Sequence, residues 1–67
     1  MKPYQQRVVD EKAELDKKAK ALSNFIGLND DFDNIDPDEQ ERMMEQCETM
    51  WQYSEILGSR ISAFSDS

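Results

Sequence analysis

From Pro3 to Gly27 the chain contains no other proline or glycine, and its apolar side chains recur there at alternating steps of four and three residues. That pattern leaves few options. Val8, position 12, Leu15, Ala19, Leu22 and Ile26 form one stripe down a helix, with Tyr4, Val9 and Phe25 beside it. A four-three repeat is the seam by which one helix packs on another. Pro3 suits a first helical turn, where its missing N–H costs nothing, so a helix is predicted over 3–26. Position 12 interrupts the stripe with a lysine.

A second seam follows. Met43, Cys47, Met50, Ser54, Leu57, Ile61 and Phe64 keep the same steps without a break. Its start is marked by Asp36, Pro37 and Glu39, which read as N-cap, first-turn proline and capping-box partner. A helix over 37–64 would be about 40 Å long. Gly58 lies inside it at a cost of roughly 1 kcal/mol relative to alanine, and permits close helix approach. Between the helices, Gly27 is expected to end the first, and the Asn- and Asp-rich stretch 27–36 forms the connection, with Phe32 and Ile35 folding back over the tip. The expected fold is all-α: one domain over 1–67, an antiparallel two-helix hairpin that assembles into a helical oligomer.

Assembly follows from size. Sixty-seven residues bury little core unless something staples them. Cys47 is the only cysteine and histidine is absent, so neither an intramolecular disulfide nor a structural zinc site is expected. Met44, Trp51, Tyr53 and Ile56 widen the apolar face of the second helix beyond what one partner covers. Val8, Met50, Trp51, Tyr53 and Leu57 are the candidate interface residues between copies. The methionines and Trp51 read more simply as core and interface filling than as a peptide groove, and Cys47, near Glu45 and Glu48, as inert.

The net charge of −7 disfavours binding to DNA, RNA or an anionic membrane. The charge is uneven, with Lys2, Arg7, Lys12, Lys17, Lys18 and Lys20 all in the first 27 residues. An anion site is therefore expected there or near Arg60. No apolar run suits a signal peptide or a membrane span, which leads to an expectation of a cytosolic, reduced protein. Without histidine or a glycine-rich phosphate loop, catalytic residues, metal and cofactor are all expected to be absent.

The sequence leaves two roles for Lys12. Its stem packs while its head snorkels or pairs with Glu11 or Asp16, or else it points into a subunit interface and meets an anionic ligand, with Arg7 and Tyr4 about one and two turns earlier in the helix. Tyr53, Ile56 and Arg60 similarly form either an oligomer surface or a phosphate contact through Arg60. The run Asp30, Asp31, Asp33, Asp36, Asp38, Glu39 and Glu41 is either a solvated connection or a mimic of nucleic-acid phosphates; its spacing does not fit a calcium loop.

Two patterns, Y-x-x-R-V-x-x-E-K-x-x-L from Tyr4 and Q-x-x-x-M-x-x-Y-S-x-x-L-x-x-R-I-x-x-F from Gln46, resemble the hairpin domain of phage anti-CBASS and anti-Thoeris proteins, over about residues 4–64. The resemblance implies a sponge. Members form compact oligomers, commonly hexamers, and sequester cyclic di- or trinucleotides or cyclic ADP-ribose-type signals in the host bacterial cytoplasm. It also implies that Lys12 and an aromatic ring, for which Tyr4 is the candidate, line the ligand pocket, with Arg60 as a further contact. The alternative is an acidic helical inhibitor of a host protein.

Overall fold

The computed structural model describes residues 1–64. Helix α1 spans Pro3–Leu28, a 3-10 turn spans Asp30–Asn34, and helix α2 spans Pro37–Phe64. The two helices pack antiparallel as one rod, 49 Å long and 15 by 14 Å across. The register is visible in two contacts: the Cys47 thiol lies 3.9 Å from the Ala19 carbonyl, and the Lys12 ammonium lies 3.1 Å from the Ser54 hydroxyl. Seven residues forward on α2 match seven backward on α1. A further step brings Gln5 beside Ile61 and Phe64 at the open end.

Both seams are the buried stripes. Val8, Ala19, Cys47 and Leu57 are buried, as is Phe32 of the connection. Each seam consists of two rows. Gln5, Lys12, Ala19 and Ile26 form one row of α1, facing Cys47, Ser54 and Ile61 of α2; the other row carries Val8, Leu15 and Leu22, with Met43, Met50, Leu57 and Phe64. The first row is mostly small or polar, the second entirely apolar.

The end of α1 differs from the 3–26 expectation. Among the described residues no glycine has positive φ, so Gly27 is an ordinary helical residue and α1 continues to Leu28. Asn29 is what stops it. Its backbone turns extended, at φ −99° and ψ 124°, while its N–H still reaches the Phe25 carbonyl. Its side chain then accepts the Asp31 N–H at 2.8 Å and starts the 3-10 turn, so one asparagine both ends a helix and caps the next turn.

That turn lays Phe32 over the hairpin tip. Its ring meets Phe25 edge-on at 6.2 Å, and its carbonyl accepts from the Gln40 side chain at 2.7 Å. Asp36 caps α2, its carboxylate accepting the Asp38 N–H at 3.1 Å. Glu39 does not complete a capping box as expected; its carboxylate pairs with Arg42 at 2.8 Å. No helix among the described residues is long and apolar enough to cross a membrane.

Candidate functional site

At mid-length the small row turns polar. The Lys12 Nζ donates to Asp16 Oδ2 at 2.7 Å and to Ser54 Oγ at 3.1 Å, while the Ser54 hydroxyl donates to Asp16 Oδ1. Three groups thus close a ring across the two helices. Lys12 reaches Ser54 over Gly58, where an added Cβ would stand 3.3 Å from Lys12 Cε. A Cβ here would make Lys12 shift by a few tenths of an ångström, so glycine gives the lysine room; its own φ is helical.

The cluster answers how a lysine sits in a seam. An unpaired buried ammonium would be costly, and here it has a carboxylate, a hydroxyl and partial access to water. Ser54 is buried, whereas the Lys12 and Asp16 side chains remain 31% and 36% exposed. The hydrogen bond from Lys12, and then that from Ser54, hold the Asp16 carboxyl below its ordinary value; desolvation pushes weakly the other way. Of the two acids that the sequence offered as partners for Lys12, Asp16 is the one engaged. Two of the three ammonium protons are used inside the chain, and the Lys12 side chain stays about a third exposed.

The other candidates lie elsewhere. Eight residues separate Tyr4 from Lys12, about 80° of rotation on an α-helix, and five separate Arg7, about 140°. Tyr4 accordingly packs on the opposite edge, its ring edge-on to Phe64 at 5.8 Å, and is half exposed. Arg60 lies about 120° around α2 from Ser54, also towards that edge, and Arg7 and Arg60 are both exposed. The structure therefore separates Lys12 from Tyr4, Arg7 and Arg60.

The interface candidates divide as well. Val8 and Leu57 are buried inside the hairpin, at 5% and 0% exposure, so neither offers surface to another copy. Trp51 and Tyr53 are exposed and Met50 half-buried. Ser23, Ile26 and Gly27 of α1 with Met44, Cys47, Glu48 and Trp51 of α2 line a groove of about 360 Å³. It runs along the same side as Asp16, because Asp16 and Ser23 are seven residues apart, as are Trp51 and Gly58. Sequence reasoning missed two of these features. Gln5 is buried and its Oε1 accepts the Lys2 N–H at 2.8 Å, though a step of three back from Val8 would have placed it in the seam. The groove needed the relative rotation of two helices.

The seven acids from Asp30 to Glu41 are all exposed. Among the described residues no three His, Cys, Asp or Glu side chains are placed to hold a metal ion.

Residues 2–63, which hold the cluster, the groove and all of the hairpin but Phe64, match the Sequestin family. The chain belongs to the Sequestin family. Comparison with curated proteins and with solved structures returns no match. The Sequestin match spans both helices and the turn between them, so the Lys12–Asp16–Ser54 ring lies well inside the family's boundaries.

Proposed function

We propose that this chain binds and withholds a cyclic nucleotide signal, either a cyclic di- or trinucleotide or a cyclic ADP-ribose-type molecule, in the cytoplasm of a bacterial host, and does so without cleaving it. The observation that carries the reading is membership in a family whose name denotes sequestration, over nearly the full chain. Lys12 is the phosphate contact in this reading. Its ammonium is held in place by Asp16 and Ser54, which use two of its three protons, and its side chain is about a third exposed. Binding rather than turnover fits a residue inventory without histidine and with its one cysteine buried. A nucleotide incubated with the protein is expected to be recovered intact after heat denaturation; linear or hydrolysed product rising with protein concentration would overturn the no-cleavage part.

The reading includes a homo-oligomer, with a hexamer the state implied by the phage-protein resemblance. A compact monomer of this mass exposes about 4,400 Å². The rod exposes 5085 Å². The excess follows from the elongated shape, which leaves ample surface for a standard interface of roughly 800 Å² per partner. Tyr53 and Ile56, 42% and 60% exposed, supply apolar surface for it. Light scattering is expected to give a particle larger than a dimer; a stable monomer at micromolar concentration would contradict it.

One observation favours the rival, an acidic inhibitor of a host protein: the acid run is exposed along its length while Lys12 is already ion-paired. Changing Asp30, Asp31 and Asp33 together to Asn separates the two readings. Sequestration predicts nucleotide affinity within about twofold of wild type, since these charges lie far from Lys12 and are screened beyond about 8–10 Å. Loss of biological inhibition with nucleotide affinity intact would favour the rival.

A further inference from the structure

We infer that the groove between Ser23, Ile26, Gly27, Met44, Glu48 and Trp51 seats the base of the ligand whose phosphate meets Lys12, with Trp51 as the stacking ring; the inference rests on the sequestration reading. Four observations converge on it. The groove, at about 360 Å³, falls in the range of small-molecule sites and is lined mainly by apolar atoms. Trp51 lines it and is 40% exposed, which leaves ring surface available for stacking.

Trp51 also stands one helical turn before Ser54, about 4.5 Å along the axis. Ser54 is bonded to Lys12. A ring on Trp51 and a phosphate at Lys12 are therefore separated by a distance that a single nucleotide spans. Tyr4, the other ring considered for this role, sits towards the opposite edge against Phe64.

Charge sorts the two ends. Glu48 at the groove offers a carboxylate, which repels a phosphate and accepts an N–H from the exocyclic amine of a purine. Lys12 offers the cation two turns away. Lys12 shares its charge with Asp16, so the phosphate is placed by the ammonium against one neighbouring carboxylate, and the amino-bearing base by Glu48 and Trp51. Base stacking on an aromatic side chain tolerates many bases, so Trp51 supplies affinity and Glu48 the preference for an amino group.

Trp51 is the sole tryptophan, so its fluorescence reports on the groove directly. The test titrates the full chain with cyclic ADP-ribose and with cyclic di-AMP. Binding of either probe is expected to quench Trp51 and to shield it from acrylamide. Trp51→Leu should weaken binding about ten- to hundredfold, with Trp51→Phe retaining most of it. Should Trp51→Leu lose helicity, Trp51→Phe and the acrylamide shielding of wild type decide the matter. Binding of a probe with no change in Trp51 emission or shielding overturns the assignment, as does a Trp51→Leu variant that binds as wild type does while Tyr4→Leu fails to. Those outcomes leave sequestration standing. If wild type binds neither probe by calorimetry, the sequestration reading falls first and this assignment falls with it.

Discussion

The two rows of the seam are built differently. The row of Val8, Leu15 and Leu22 against Met43, Met50, Leu57 and Phe64 is apolar throughout, and contains Leu57, which water does not reach. The row of Gln5, Lys12 and Ala19 against Cys47 and Ser54 holds polar and small groups, and Gly58 leaves room for Lys12 to pass. The Lys12–Asp16 pair stays about a third exposed, so its charges keep much of their hydration and the pairing itself adds little to stability. One row is plain packing; the other holds the Lys12–Asp16–Ser54 ring, which in the proposed function meets the ligand.

Substitutions in the two rows should therefore behave differently. The largest effect on folding belongs to Leu57→Ala, about 2–5 kcal/mol for a fully buried leucine. In so small a domain that is enough to lose cooperative melting by circular dichroism; a melting curve like that of wild type would show that the apolar row is not what holds the fold. Ser54→Ala comes next, at about 1–2 kcal/mol, because it removes a buried hydroxyl that both Lys12 and Asp16 use. If it is silent, the ring across the helices contributes nothing to the fold.

A pH series on Asp16→Asn addresses the charge. The Asp16 pKa is lowered in the folded chain, so the stability it contributes is fully present above the ordinary carboxylate value and is lost as pH falls through the lowered one. The melting temperature of wild type should exceed that of the variant at neutral pH, and the gap should close only in acid, below the ordinary carboxylate range. A gap independent of pH would assign the effect to shape rather than charge.

The smallest effect is expected of Gly58→Ala, and it sharpens the contrast most. Alanine gains up to about 1 kcal/mol of helix propensity, while its Cβ, 3.3 Å from the flexible end of Lys12, displaces that side chain rather than backbone. The melting temperature should rise slightly while nucleotide binding weakens. A fall in both would mean that the lysine cannot yield.

Much of this was legible in the sequence because a four-three repeat is a statement about which residues share a helix face. Both helices and both seams follow from it, as do Asp36 as a cap and Asp16 as one of two partners for Lys12. What escaped was set by competition between neighbours. Gly27 looked like a helix end, yet Asn29, with a side chain able to cap the next turn, ends α1. Glu39 had two possible partners, and Arg42 on the same helix face takes it. The separation of Tyr4 from Lys12 within one hairpin has a geometric reason. Tyr4 and Lys12 lie two turns apart, and two turns accumulate about 80° of drift, enough to put them on different edges of a narrow hairpin. That Trp51 borders a groove with Ser23, Ile26 and Gly27 could not be read from the sequence, because nothing in one helix tells which part of the other it will lie beside.

The central claim is that Lys12, although satisfied inside the chain, serves a nucleotide. Calorimetry of wild type and Lys12→Ala against a panel of cyclic di- and trinucleotides and cyclic ADP-ribose tests it most directly, with helicity and particle size checked in parallel. The account predicts that wild type binds at least one of them tightly and that Lys12→Ala loses most of that affinity while keeping its helices and its assembly. Wild type binding none, or Lys12→Ala binding as wild type does, would contradict it.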